Sequence, residues 1–373
     1  MDEVSITDSS PARPAFRALK SVPQRILAKE VNWLGDLVMS LPALRAIRDA
    51  FPGARLAVLI KEDLAGFFDG VGWIDEVITY RAASGLRTLR RNCEVIRAIR
   101  ARRFDLAILF PNSFESALWV ALARIPNRAG YVTDWRRTLL THRATPAPDA
   151  LTGHQSGYWL AMVRDTLGVR VCAERAGDQL EPSRDHLERV RGWLASRRVP
   201  PAGPLIAIAP AAAFGPAKEW PSERYAELID RLKAEHDARC VIIGAESERS
   251  KCERVAATAG AIVAAGALGL GEQIALLSLC NGFAGNDSGA MHLAAAVGIP
   301  TVGIFGSTNP ARTGPLGPHA RFILHPPPCN PCLARTCRFG HYDCLRAVSV
   351  SEVAAMLEQL GAFGSDIDPS PSS

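Results

Sequence analysis

The chain has 373 residues, 48% of them apolar, which suffices for two domains of ordinary size, each with its own core. Its formal charge of +5 is too small to argue for a nucleic-acid partner. The opening Met1-Asp2-Glu3-Val4 has no basic or apolar leader character, and the longest nearly uncharged run, 290–306, is broken by Pro300. A cytoplasmic chain without signal peptide or transmembrane helix is therefore expected.

Residues 1–22 are polar and Pro-containing and read as a disordered tail. A first domain is expected over 23–180. In it, 25–31 reads as a strand and 36–51 as a helix with Leu37, Leu41, Leu44, Ile47 and Phe51 on one face. Strands follow at 56–60, 76–79 and 105–110, and helices at 93–102 and 116–124. Arg81, Arg87, Arg90, Arg91, Arg97, Arg100, Arg102 and Arg103 crowd one stretch, with Glu94 as the only acid among them. That stretch reads either as a solvated helix face or as a surface for phosphorylated lipid or an anionic membrane. A linker region, 181–204, ends in Val199-Pro-Pro-Ala-Gly-Pro204. The pattern then restarts over 205–348, with strands at 205–209, 240–243, 262–264, 282–285 and 301–305. A last helix, 351–360, lies in a segment 349–362 that is a candidate to cross back to the first domain, and 363–373 reads as a second disordered tail. Strand alternating with helix in both halves implies two Rossmann-like, doubly wound parallel-sheet domains.

Two loops carry the chemistry. Gly285-Asn-Asp-Ser-Gly-Ala-Met-His292 joins a strand to a small-residue helix. Its free backbone N–H groups suit a phosphate, although a plain Asx cap by Asp287 or Ser288 fits the same residues. Pro210-Ala-Ala-Ala-Phe-Gly-Pro-Ala-Lys-Glu-Trp-Pro221 follows the strand at 205–209 and brings Lys218 to the same sheet edge, where a lysine suits a diphosphate. Asp36 stands where the first strand gives way to the first helix and, on its own, reads as a helix cap. The chain has no G-x-G-x-x-G after its first strand, no G-x4-G-K-[ST] loop and no Asp-x-Asp between apolar strands. These absences leave a dinucleotide, an ordinary NTPase and a metal-bound sugar nucleotide without support. Of nine cysteines, Cys93, Cys172, Cys240, Cys252 and Cys280 are scattered and read as reduced thiols. Cys329, Cys332, Cys337 and Cys344 form C-x2-C-x4-C-x6-C near His341. That spacing suggests a structural zinc knot, with disulfides or free thiols as alternatives.

The chain resembles the ADP-heptose:lipopolysaccharide heptosyltransferases, and most the branch that adds the second heptose (heptosyltransferase II). The resemblance rests on Asn32-Trp-Leu-Gly-Asp36 with Leu41-Pro-Ala-Leu44, Pro111-Asn-Ser-Phe114 with Ser116-Ala-Leu118, and Ile125-Pro126 with Arg128 and Gly130-Tyr131. It continues through Phe214-Gly-Pro-Ala-Lys218, Trp220-Pro221 and Asn286-Asp-Ser-Gly289 with His292, in the family's order from about residue 25 to 360. It implies the GT-B architecture, two such domains facing a cleft, which the alternation alone does not separate from other paired α/β folds. It implies transfer of heptose from ADP-heptose to the inner-core heptose of a lipopolysaccharide core–lipid A precursor, with inversion, at the inner face of the cytoplasmic membrane. Alternatives are addition of the first heptose to a Kdo2-lipid or of a similar sugar to another glycan, a sugar-nucleotide 2-epimerase, and a non-catalytic nucleotide-sugar-binding protein.

The resemblance gives Asp36 the role of catalytic base. Lys218 and the N–H groups of Ser288 and Gly289 are the candidates to stabilise the leaving diphosphate without a metal. Asp287 is a candidate to orient the Lys218 loop or the heptose hydroxyls, Glu246 to accept from the ribose, and His292 to support them. Asn112, Ser113, Arg128, Tyr131, Arg136 and Arg137 are acceptor-side candidates, the arginines suiting carboxylates and phosphates. No cofactor is expected for the chemistry, and magnesium enters only as a possible screen for the diphosphate. Three residues depart from the family's pattern. Glu219 stands beside the lysine where Arg is usual, Glu115 where a basic residue is common, and Ala211 where Gly is usual.

Overall fold

The computed structural model describes residues 19–85, 87–169, 180–199 and 203–364. The first half has strands β1 (Arg25–Lys29), β2 (Arg55–Lys61), β3 (Glu76–Tyr80), β4 (Leu106–Leu109), β5 (Asn127–Tyr131) and β6 (His142–Ala144). Its helices are α1 (Leu34–Ala50), α2 (Arg87–Ala101), α3 (Phe114–Leu122), α4 (Pro148–Thr152) and α5 (Gln155–Leu167), and α6 (Arg184–Ser196) leads out of it. The second half has β7 (Leu205–Ala209), β8 (Arg239–Ile242), β9 (Ile262–Val263), β10 (Gly282–Asn286), β11 (Thr301–Ile304) and β12 (Ala320–Ile323). Its helices are α7 (Ser222–His236), α8 (Arg249–Ala259), α9 (Leu270–Ser278), α10 (Gly289–Val297), α11 (Pro310–Thr313), α12 (Asp343–Arg346) and α13 (Val350–Gln359).

Central strands such as β4 (LAIL) and β7 (LIAIA) are apolar at every position because helices cover both sheet faces. The two sheets are parallel and run β3-β2-β1-β4-β5-β6 and β9-β8-β7-β10-β11-β12. The halves thus share one strand order without a visible sequence repeat. In each, the order reverses between the first and fourth strands, the point where α/β sheets open a crevice for ligand. One buried apolar cluster runs from Ile26, Leu37 and Leu44 through Met291, Leu293 and Phe305, joining the halves.

Two expectations are corrected. The linker region contains a helix, α6, that touches both halves: His186 lies 3.6 Å from Asp69 of the first half, and Arg189 lies 3.2 Å from Glu272 of α9 in the second. The last helix does not cross back, because Val353, Ala354 and Leu357 of α13 are buried in the second half's core with Ile206, Leu228 and Val302. Residues 1–18, 200–202 and 365–373, which hold most of both expected tails and part of the linker, lie outside the described residues, as does Cys172.

Candidate active site

The chain leaves both switch points toward the seam between the halves. Asp36 follows β1, Lys218 follows β7, and Asp287 follows β10. Lys218 and Asp287 meet at 2.5 Å, with side chains 13% and 3% exposed. Thr308, after β11, donates to the same Asp287 carboxylate at 2.6 Å. Lys218 also lies 5.0 Å from the ring centre of Phe214 in its own loop, so the ammonium group is held on two sides. An ammonium group has three N–H donors, and Asp287 takes one direction, leaving the others for a ligand.

The cap readings of both carboxylates give way. α1 starts two residues before Asp36, at Leu34, so Asp36 sits in the first turn and caps nothing. Among the described residues its carboxylate has no hydrogen-bond partner. Burial raises the Asp36 pKa, and the charge of Lys218 pulls it partly back, which places the two groups within electrostatic reach across the seam. At α10, Ser288 is the N-cap, but its side chain accepts no capping bond, and its hydroxyl is buried without a partner among the described residues. The turn is set instead by Asn286, whose side-chain oxygen accepts from the Trp220 N–H at 2.9 Å and the Tyr225 hydroxyl at 2.8 Å. The first N–H groups of α10 therefore remain open beside Lys218.

The two helix starts touch. A Cβ on Gly35 would lie 3.0 Å from the His292 ring, and one on Gly289 would lie 2.8 Å from the Leu34 Cβ. Glycine is required at 289 because any side chain would separate the helices. His292 is 4% exposed, and burial lowers its pKa to about 4, so a neutral imidazole packs at the seam. Under the Asp36 turn lie two buried ionisable groups that the sequence reading passed over, Lys29 and Glu30. Glu30 accepts from the Ser40 hydroxyl at 3.0 Å, and burial pushes its pKa up to about 7.

Asp36, Lys218, Asp287, Ser288, Gly289 and His292 thus converge. Glu246 does not join them: it follows β8, one strand beyond Lys218, with its side chain 73% exposed over Gly266. The acceptor-side candidates divide. Arg128 lies at the start of β5, the edge away from the seam, and its Nε donates to the Leu139 carbonyl at 2.6 Å. Tyr131 is wholly buried against Tyr158. Arg136, also wholly buried, donates to the Tyr131 carbonyl at 2.8 Å, to the Pro111 carbonyl and to Asn112 Oδ1 at 3.2 Å. Arg128 and Arg136 tie strand ends to neighbouring carbonyls, and Tyr131 and Arg136, being wholly buried, offer no open surface to an acceptor. Asn112 donates to the Tyr158 hydroxyl at 2.7 Å, and Ser113 caps α3. Arg137 is exposed. At the same edge stand exposed aromatics not singled out from the sequence, Trp33 after β1, Phe114 after β4 and Trp135 after β5, the last 96% exposed. Trp135 and Asp134 have φ of 59° and 46°, a strained tip held in place by the Arg136 clasp.

The departing carboxylates are turned away from the site. Glu219 pairs with Lys251 and accepts from the Ala212 N–H at 3.3 Å, while Glu115 pairs with Arg91 of α2. Ala211 is buried. Half of the arginine row is paired: Arg81 meets Glu62 and Arg102 meets Glu76, both at 2.5 Å, Arg91 meets Glu115, and Arg90 meets Glu94 within α2 at 2.9 Å. The four clustered cysteines line one small cavity with His341 and with Ala217 and Ser307, the chain neighbours of Lys218 and Thr308. All four are free thiols, and among the described residues the only three metal-competent groups whose ligand atoms lie within 4.8 Å of one another are Glu235, His236 and Glu358.

Comparison with known proteins bears on the family and the fold. The family model of glycosyltransferase family 9 (heptosyltransferase) matches residues 93–343. The chain is 29% identical to lipopolysaccharide heptosyltransferase 2 of Salmonella typhimurium, covering 80% of this chain and 87% of that one. It is 28% identical to lipopolysaccharide heptosyltransferase 2 of Escherichia coli, again over 80% and 87%. The solved structure of E. coli ADP-heptose LPS heptosyltransferase II superposes with a TM-score of 0.77 at 25% identity, covering 90% of this chain and 98% of that one. The two facing doubly wound sheets are the GT-B architecture.

Proposed function

This chain belongs to glycosyltransferase family 9, the heptosyltransferases, and on that premise we propose that it transfers heptose from ADP-heptose to the inner-core heptose of a lipopolysaccharide precursor, with inversion. The carrying observation is a carboxylate, Asp36, within electrostatic reach of the Lys218–Asp287 pair across the seam. In this reading Asp36 takes the proton of the acceptor hydroxyl as that oxygen attacks the anomeric carbon from the face opposite the diphosphate. The bond from the anomeric carbon to the diphosphate oxygen breaks, and ADP departs. Lys218 and the open N–H groups of α10 balance the charge that develops on the leaving oxygens. Thr308 and Asp287 hold Lys218 on line, and His292 keeps the helix starts in register. Glu246, one strand along, accepts from the ribose. Asn112, Ser113 and Arg137, with the exposed aromatics at the same edge, face the acceptor. No helix is long and apolar enough to cross a membrane among the described residues, and contact with the membrane face belongs to this proposal. The chemistry as proposed uses no cofactor; magnesium, when bound, would screen the diphosphate charge.

A discontinuous assay tests the reading. ADP-heptose and a heptosyl-Kdo2-lipid acceptor are mixed with purified protein, and ADP release and acceptor mass are both read. ADP release with a gain of one heptose is expected. Release without a mass gain, or gain only on a Kdo2-lipid, overturns the acceptor assignment.

A further inference from the structure

The loop after β11 carries a group that the proposed chemistry leaves idle. Arg312 Nη2 donates to Gln155 Oε1 of the first half at 2.9 Å. Its Nη1 is buried and, among the described residues, has no hydrogen-bond partner. The neighbouring Thr313 hydroxyl is also buried and unpartnered. Beside them His154 Nε2 meets the Gly314 carbonyl at 3.0 Å, again across the seam. No carboxylate pairs with Arg312 among the described residues. A buried charged donor without an acceptor is costly, and a guanidinium is best satisfied by a carboxylate or phosphate oxygen.

Position says which substrate supplies that oxygen. Along the second sheet the strands run β8, β7, β10, β11, so Glu246, Lys218, Asp287 and Arg312 leave its edge in that order. Three strand spacings, about 14 Å, separate β8 from β11. The ribose and diphosphate are accounted for by the first three residues, and Arg312 lies beyond them, against the half that carries Asp36. We propose that Arg312 and Thr313 form a seat for an anionic group of the acceptor, a carboxylate or phosphate near the accepting hydroxyl. This inference rests on the heptosyl-transfer reading.

Steady-state kinetics on the full chain test it, using ADP-heptose with three acceptors: heptosyl-Kdo2-lipid, its dephosphorylated form and its Kdo methyl ester. Arg312→Gln is expected to raise the acceptor KM by about tenfold or more, the loss of one charge-assisted contact, while ADP affinity by calorimetry stays unchanged. Arg312→Lys, which keeps the charge but not the fork, is expected to fall between the two and also serves if the glutamine variant folds poorly. The penalty should vanish on whichever acceptor lacks the anion the seat takes, which identifies the source. Gln155→Ala, which cuts only the tie across the seam, should leave the acceptor KM near wild type. The inference is overturned by an unchanged acceptor KM, by an equal loss of ADP affinity, or by a Gln155→Ala variant that reproduces the defect. A wild-type chain that transfers to none of the three overturns the transfer reading and this inference with it. Transfer by wild type with an indifferent Arg312→Gln overturns the inference alone.

Discussion

At the scale of single residues, Asp36 and Lys218 make separable predictions. Asp36→Asn keeps shape and removes the base, so turnover should fall by about 10²–10⁴-fold while calorimetry finds ADP binding intact. An active variant with wild-type rate would remove Asp36 from the chemistry. Because burial raises the Asp36 pKa and only the carboxylate accepts a proton, kcat/KM should rise with pH through a limb above the ordinary carboxylate range. Lys218→Ala withdraws the opposing charge, so the same limb should move further up, which a pH–rate profile of both proteins will show. Lys218→Ala should also cost about 10²–10³-fold in kcat. It leaves Asp287 buried and unpaired, so urea unfolding should find it about 3–5 kcal/mol less stable. Adding Asp287→Asn should restore stability and not rate. The residues of this pair were legible in the sequence because each follows a strand in a glycine- or proline-marked loop. The burial of Tyr131 and Arg136 was not legible, since an arginine near a strand end looks the same whether it faces solvent or bonds three neighbours from inside.

At the scale of elements, the packing of α1 on α10 decides the geometry. Gly289→Ala puts a methyl group 2.8 Å from Leu34, so one helix start must move. Overpacking of this kind costs about 1–3 kcal/mol. The variant should melt earlier and bind ADP more weakly in calorimetry. Gly72→Ala, where nothing lies within 4 Å of the new methyl group, should do neither. Most strands of both sheets were legible as apolar runs, and α1 from its periodicity. α5 was not, because Tyr158, Trp159, Leu160, Ala161, Met162 and Val163 are all buried, which leaves no polar stripe to mark a helix. β6 has three residues and β5 opens on Asn and Arg, too short and too polar for a pattern of strands. α6 hid in a segment read as linker, since of its residues only Val190 is fully buried.

At the scale of the molecule, the halves share one apolar cluster, so they should unfold together. Scanning calorimetry is expected to show a single transition, and ADP at 100 times its dissociation constant should add about 2.7 kcal/mol to it. Two resolved transitions, with only one moved by ADP, would mean the halves are energetically independent. The two-domain plan was legible from the restart of the alternation at residue 205, whereas the joining of the cores was not, because no local pattern records which apolar faces meet. The contact of Leu34 and Gly35 with Gly289 and His292 also bears on exchange of parts between related enzymes. The obvious place to splice two such proteins is the Pro- and Gly-rich stretch before residue 205. A hybrid cut there would set one parent's α1 against the other's α10, and the fit of a bare glycine against a leucine is a property of the pair. Donor preference should therefore be transferable only when both helix starts come from the same parent, or when the four seam residues are exchanged as a set.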